Sequence, residues 1–117
     1  MGGSASSLSS TFSQSLDPQP VSARYFQLAQ TFEVTFNRNL TPGVLAHLNW
    51  TMKPNGFNRI ANTATAAANL VTGTTAVHIA GPAIDTIKYA AAPADVTALR
   101  EGTPAVAFTD FPMTILP

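Results

Sequence analysis

Between Gln30 and Phe36 the side chains alternate, with Phe32, Val34 and Phe36 apolar and Glu33 and Thr35 polar. A period of two marks a strand with one buried face. The pattern is short, and similar runs return along the chain between clusters of Pro, Gly and Asn. Asn37–Gly43 breaks the first run. Asn49–Lys53 follows, with Trp50 and Met52 on one face, and Pro54-Asn55-Gly56 reads as a hairpin turn leading into Phe57–Ala61. Thr63–Val71 mixes alanine with threonine and is assigned to strand, closed by Thr72-Gly73. Thr75–Ile79, Asp85–Ala90, Ala105–Phe108 and Met113–Leu116 complete the set, and Ala91–Thr103 is a long connection. Pro42 is placed to start one helical turn through Val44, Leu45 and Leu48. Short strands near ten residues apart predict an all-β sandwich. Its expected core is Phe32, Val34, Phe36, Trp50, Val77, Ile79, Ile87, Tyr89 and Phe108.

A chain of 117 residues suits one domain. It buries roughly 60–70% of its unfolded surface, enough to fold without disulfides. None can form, because cysteine is absent, and thiol catalysis and zinc-thiolate sites go with it. Charged residues make up 10% of the chain and cancel to a net charge of zero, against about 25% in ordinary domains. The basic residues are scattered, so no nucleic-acid partner is expected. The uncharged stretch Ile60–Ile84 is too rich in Thr and Asn for hydrocarbon, so no membrane partner is expected either. Met1–Ser7 has neither the basic nor the apolar region of a signal peptide. Sparse charge favours association, which points to a protein packed against other protein.

The first fifteen residues are rich in Ser and Gly and have little to bury. Residues 11–28 align without a gap on residues 35–52. Thr11, Phe12, Leu16 and Pro18 meet Thr35, Phe36, Leu40 and Pro42, and Phe26 meets Trp50. Besides coincidence among turn-rich strands, this suggests that the N-terminal copy imitates a strand and turn of the domain and adds to a sheet edge. The expected division is an arm over 1–29 and a sandwich over 30–117. Phe12, Leu16, Tyr25, Phe26 and Leu28 are the expected assembly contacts. The competing expectation makes Tyr25, Phe26 and Leu28 an integral first strand.

From Thr35 onward the chain resembles the bacterial immunoglobulin-like repeat domains of cell-surface and secreted proteins. The resemblance rests on Val34-Thr35-Phe36-Asn37-Arg38-Asn39-Leu40-Thr41-Pro42 with Asn49-Trp50, then Ile87-Lys88-Tyr89 and Gly102-Thr103-Pro104-Ala105-Val106-Ala107-Phe108. It covers about residues 32–116 and implies an immunoglobulin-like Greek-key β-sandwich serving as spacer, adhesive or assembly unit. The chain departs from it in standing alone, without a legible secretion signal. Small phage virion proteins of this type are made in the cytoplasm and assembled onto a capsid or tail.

No catalytic arrangement is legible. His47 and His78 lack neighbouring ligands at metal-binding spacing. No nucleophile motif is present. Asp85, Asp95, Glu101 and Asp110 are the acids on which a glycosidase-like carboxylate pair would have to rest, and each reads more simply as a solvated loop charge; the alternative for Asp95, Glu101 and Asp110 is a shared calcium ion near the long connection. Asn49-Trp50-Thr51 matches a glycosylation acceptor by accident. Trp50 reads as a core anchor in preference to a sugar platform. The expected function is a non-enzymatic structural subunit without cofactor or metal, a phage decoration or minor virion protein. Its expected partners are copies of itself and capsid or tail proteins, and it is expected to form a homo-oligomer. The alternative is an adhesive or carbohydrate-binding module at a bacterial surface.

Overall fold

The alternating run folds as β2 (Thr31–Phe36), with Phe32, Val34 and Phe36 buried. In the computed structural model the described residues are 17–53, 57–80 and 85–117, without the side chains of residues 57–58 and 76–80. The other elements are β1 (Pro20–Phe26), β3 (Gly43–Val44), a 3-10 turn (His47–Asn49), β4 (Trp50–Met52), β5 (Phe57–Ala61), β6 (Thr65–Ala67), β7 (Leu70–Ala80), β8 (Thr86–Tyr89), β9 (Phe108–Pro112) and β10 (Thr114–Leu116). The protein is all-β, a mixed sheet curled into a sandwich that nearly closes as a barrel. Among the described residues no helix is long and apolar enough to cross a membrane.

The strand order is β10-β1-β2-β7-β5-β4-β8-β9, with β6 on β7 and β3 on β6. Every pairing is antiparallel except β1 with β10, which run parallel. The long strand β7 serves both layers. Leu70–Thr74 pairs with β2, and Thr75–Ala80 continues along β5. Gly73, expected to end a strand, lies inside this one. A Cβ there would stand 2.0 Å from the Thr63 carbonyl oxygen and 2.7 Å from the Phe32 ring, so only glycine lets these elements meet. The preceding stretch, expected as one strand, is instead divided. β6 ends at Ala67, Ala68 takes a positive φ of 52°, and the chain reverses into β7.

Trp50 is fully buried at the centre of the sandwich. Its ring stacks on Tyr89 of β8 with centroids 4.6 Å apart, and it meets Phe32 of β2 at 5.8 Å and Phe108 of β9 at 6.1 Å. Of the expected core, Phe32, Val34, Phe36, Trp50, Ile87 and Tyr89 are buried and Phe108 packs against them partly buried. The side chains of Val77 and Ile79 fall outside the described residues. So does the Pro54-Asn55-Gly56 turn, although β4 and β5 pair antiparallel on either side of it.

Two boundaries need correction. The helical turn expected after Pro42 forms later, at His47–Asn49, because Leu45 N–H bonds the Ala64 carbonyl and holds the preceding residues extended. The strand expected at Ala105–Phe108 begins only at Phe108. Ala105 N–H instead bonds Val96 across a small hairpin within the long connection.

Candidate assembly surface

The N-terminal boundary also moves. Residues 20–26, expected to belong to an arm, form β1, hydrogen-bonded to β2 on one side and to β10 on the other. Ala23 and Tyr25 point into the core, and the Tyr25 hydroxyl lies 2.8 Å from Thr75 Oγ1. Tyr25 is therefore part of the fold and unavailable as an assembly contact. Phe26 is half-buried at the strand end, with the Arg24 guanidinium 5.3 Å from its ring centroid. Leu28, at the tip of the β1–β2 turn, is 88% exposed. Phe12 and Leu16 lie outside the described residues. The three described contacts, Tyr25, Phe26 and Leu28, thus do not form one exposed patch.

One edge of the barrel is covered by the long connection. Thr41 N–H bonds the Thr97 carbonyl, Leu99 N–H bonds Asn39, and Ala46 N–H donates to Asp95 Oδ2 at 2.6 Å. The other side is open. After β9 the chain crosses between layers at Met113, whose N–H bonds the Asp85 carbonyl, and enters β10. β10 reaches only Arg24–Phe26 of β1. Among the described residues, Pro20–Ala23 have no strand on that side, and β9 has only β8. The gap is a cleft of about 320 Å³ lined by Val21, Ser22, Ala23, Phe111, Pro112, Met113 and Thr114. Bulges shape both walls. The β1–β2 register slips around Val21, leaving that side chain 56% exposed, and the β8–β9 register slips near Asp110, whose φ is +54°.

Val44, Leu48, Leu99 and Val106 are further exposed apolar side chains. Val44 and Leu48 had been assigned to a helical turn. Leu99 and Val106 sit on the long connection and just after its hairpin, where no periodicity distinguishes inside from outside.

Asp95 is not the solvated loop charge its sequence context suggests. It accepts from the Tyr89 hydroxyl (2.9 Å) and from Ala46 N–H, and that hydroxyl in turn accepts from the backbone N–H groups of Asp95 and Val96. Burial pushes the Tyr89 phenol above its usual pKa. Asn49 is buried, with its Nδ2 donating to the Pro93 carbonyl and its Oδ1 accepting from Ala92 N–H. These bonds fasten the long connection to the 3-10 turn before β4 and to β8, and they deny the Asn49 amide to glycosylation. Among the described residues no three His, Cys, Asp or Glu side chains gather where they could hold a metal. His47 Nδ1 lies 2.9 Å from the Ala61 carbonyl, and the His78 side chain is outside the described set. Glu101 pairs with Arg38 at 3.4 Å.

Another groove, of about 400 Å³, runs along β2 and β7, where Thr31 pairs with Thr74 and Glu33 with Thr72. The Arg24–Glu33 ion pair joins β1 to β2 at its border. Comparison with protein-family models, curated proteins and solved structures finds no match to this chain.

Proposed function

We propose that this chain is a non-enzymatic structural subunit that works by packing against other protein, in a virion as a decoration or minor component. The observation that carries the reading is the surface. Large apolar side chains from Val21 to Val106 stand exposed on a protein with only 10% charged residues, and an open cleft parts two strands.

The strand orders support an immunoglobulin-like sandwich as the scaffold. β1-β2-β7-β6 in one layer and β4-β8-β9 in the other follow the ABED and CFG orders of that architecture, with β5 beside β4. Trp50 on β4 occupies the place of its buried tryptophan. Here Phe32 of β2 and Tyr89 of β8 flank the indole where antibody domains join the corresponding strands by a disulfide. The partners in this reading are further copies of the chain and capsid or tail proteins.

Trp50 lies in the core and offers no platform to a sugar, so the carbohydrate-binding alternative loses the residue it was built on. Light scattering on purified protein over a hundredfold concentration range tests the proposal. Mass rising to a defined oligomer supports it, whereas a monomer at every concentration, with no binding to capsid or tail protein, refutes it.

A further inference from the structure

We infer that Leu28, at the tip of the β1–β2 turn of one copy, seats its side chain in the cleft between β1 and β9 of the next. This contact rests on the assembly reading and supplies its partner, a second copy of the chain.

The cleft is the right size for a side chain. It holds about 320 Å³, and an apolar cavity of about 150 Å³ already takes a benzene ring. No charged residue lines it. Ala23 and Met113 are buried, and Val21, Phe111 and Pro112 stand more exposed around them. Such a socket favours one apolar side chain of modest bulk over a charged or a long polar one.

Leu28 is presented as the matching knob. Residues 27–30 carry no charge, and the base of their turn is pinned. Gln27 N–H bonds the Leu116 carbonyl at 2.9 Å, and the Gln30 carbonyl accepts from Thr75 N–H at 2.9 Å. The leucine therefore stands 88% exposed on a turn held at both ends, so little backbone freedom is lost when it docks. Val44 is as exposed, but it lies within the short strand β3 and not at a projecting tip.

The occupant is not the chain's own turn. Val21 and Leu28 stand toward opposite ends of β1, roughly 20 Å apart along the strand. Knob and socket are thus separate places on one surface, and an exposed apolar side chain that enters a pocket elsewhere on an identical molecule makes a heterologous contact. Each copy gives its knob to one neighbour and its socket to another, closing into a ring where the rotation permits.

Two full-length variants, Leu28→Asp and Val21→Asp, test this by complementation. Both positions are more than half exposed, and the emission of the sole tryptophan checks that the fold is kept. Each variant alone should run at monomer mass in light scattering at concentrations where the parent is assembled. Mixed in equal amounts, they should form a dimer and nothing larger, since only the knob of the Val21→Asp protein and the socket of the Leu28→Asp protein remain whole. Leu28→Ala should weaken association by at least about tenfold, and Val44→Asp should leave it unchanged. Variants that assemble like the parent overturn the contact and leave the assembly reading standing. So does a mixture that stays monomeric, or a Val44→Asp protein that falls apart. A parent that is monomeric at every concentration overturns both.

Discussion

Removing one oxygen atom, in Tyr89→Phe, tests whether the long connection is held as described. The ring contacts with Trp50 and Phe108 remain, so the change isolates the hydroxyl. That oxygen accepts from Val96 N–H at 3.2 Å and Asp95 N–H at 2.9 Å and donates to the Asp95 carboxylate at 2.9 Å. Val96 is fully buried, so its N–H loses its acceptor without gaining water, at about 1–3 kcal/mol. Losing the bond to the carboxylate adds about 1–2 kcal/mol, tempered because Asp95 keeps Ala46 N–H. A total of about 2–5 kcal/mol corresponds to a melting temperature lower by roughly 8–20 °C for a domain of this size. Urea unfolding followed by Trp50 fluorescence measures it. Tyr25→Phe is the control, since Thr75 Oγ1 retains the Gln30 carbonyl, and its cost should stay near 1 kcal/mol. Equal losses in the two variants would refute the reasoning. Alkaline pH gives a second reading. With the folded phenol's pKa raised, the stability of the protonated form is complete below the unfolded value and is lost as pH rises through the folded one. The parent should therefore weaken above the usual tyrosine pKa more steeply than Tyr89→Phe.

Gly73→Ala should cost at least about 2 kcal/mol in chemical denaturation, because its Cβ meets the backbone oxygen of Thr63 and not a yielding side chain. Ala68→Gly should do the opposite, raising stability by up to about 1 kcal/mol by relieving a positive φ. Deleting residues 1–16 should leave circular dichroism and melting near those of the parent. Deleting 1–26 removes β1 with Ala23 and Tyr25 and should yield aggregate. A soluble, cooperatively melting 27–117 fragment would show that β1 is dispensable.

What was legible in the sequence was local. The alternation in β2 and the pairing of Trp50 with Met52 on one face follow from a period of two, and the structure keeps them. β1 carries the same alternation in Ser22-Ala23-Arg24-Tyr25. It was obscured by the bulge at Val21, the half-buried Phe26 and a serine-rich lead that drew the whole stretch into an arm. Gly73 was misread because glycine marks turns and close approaches alike, and only the position of Phe32 and Thr63 separates them. The role of Asp95 depends on Ala46, Asn49 and Tyr89, which tertiary folding alone brings together. The cleft was illegible for the same reason, since it is a space left between strands from opposite ends of the chain.

The parallel pairing of β1 with β10 bears on how the domain responds to force. Tension applied to the chain on either side of the domain pulls β1 from its start near Pro20 and β10 from its end at Leu116, in opposite directions along neighbouring parallel strands. The bonds between them, with Gln27 N–H to the Leu116 carbonyl beside them, are then loaded together in shear instead of being opened one at a time. A unit loaded this way gives only when the whole set fails at once. Its register of Arg24 to Thr114, Tyr25 to Ile115 and Phe26 to Leu116 thus acts as a mechanical clamp across the two ends of the domain.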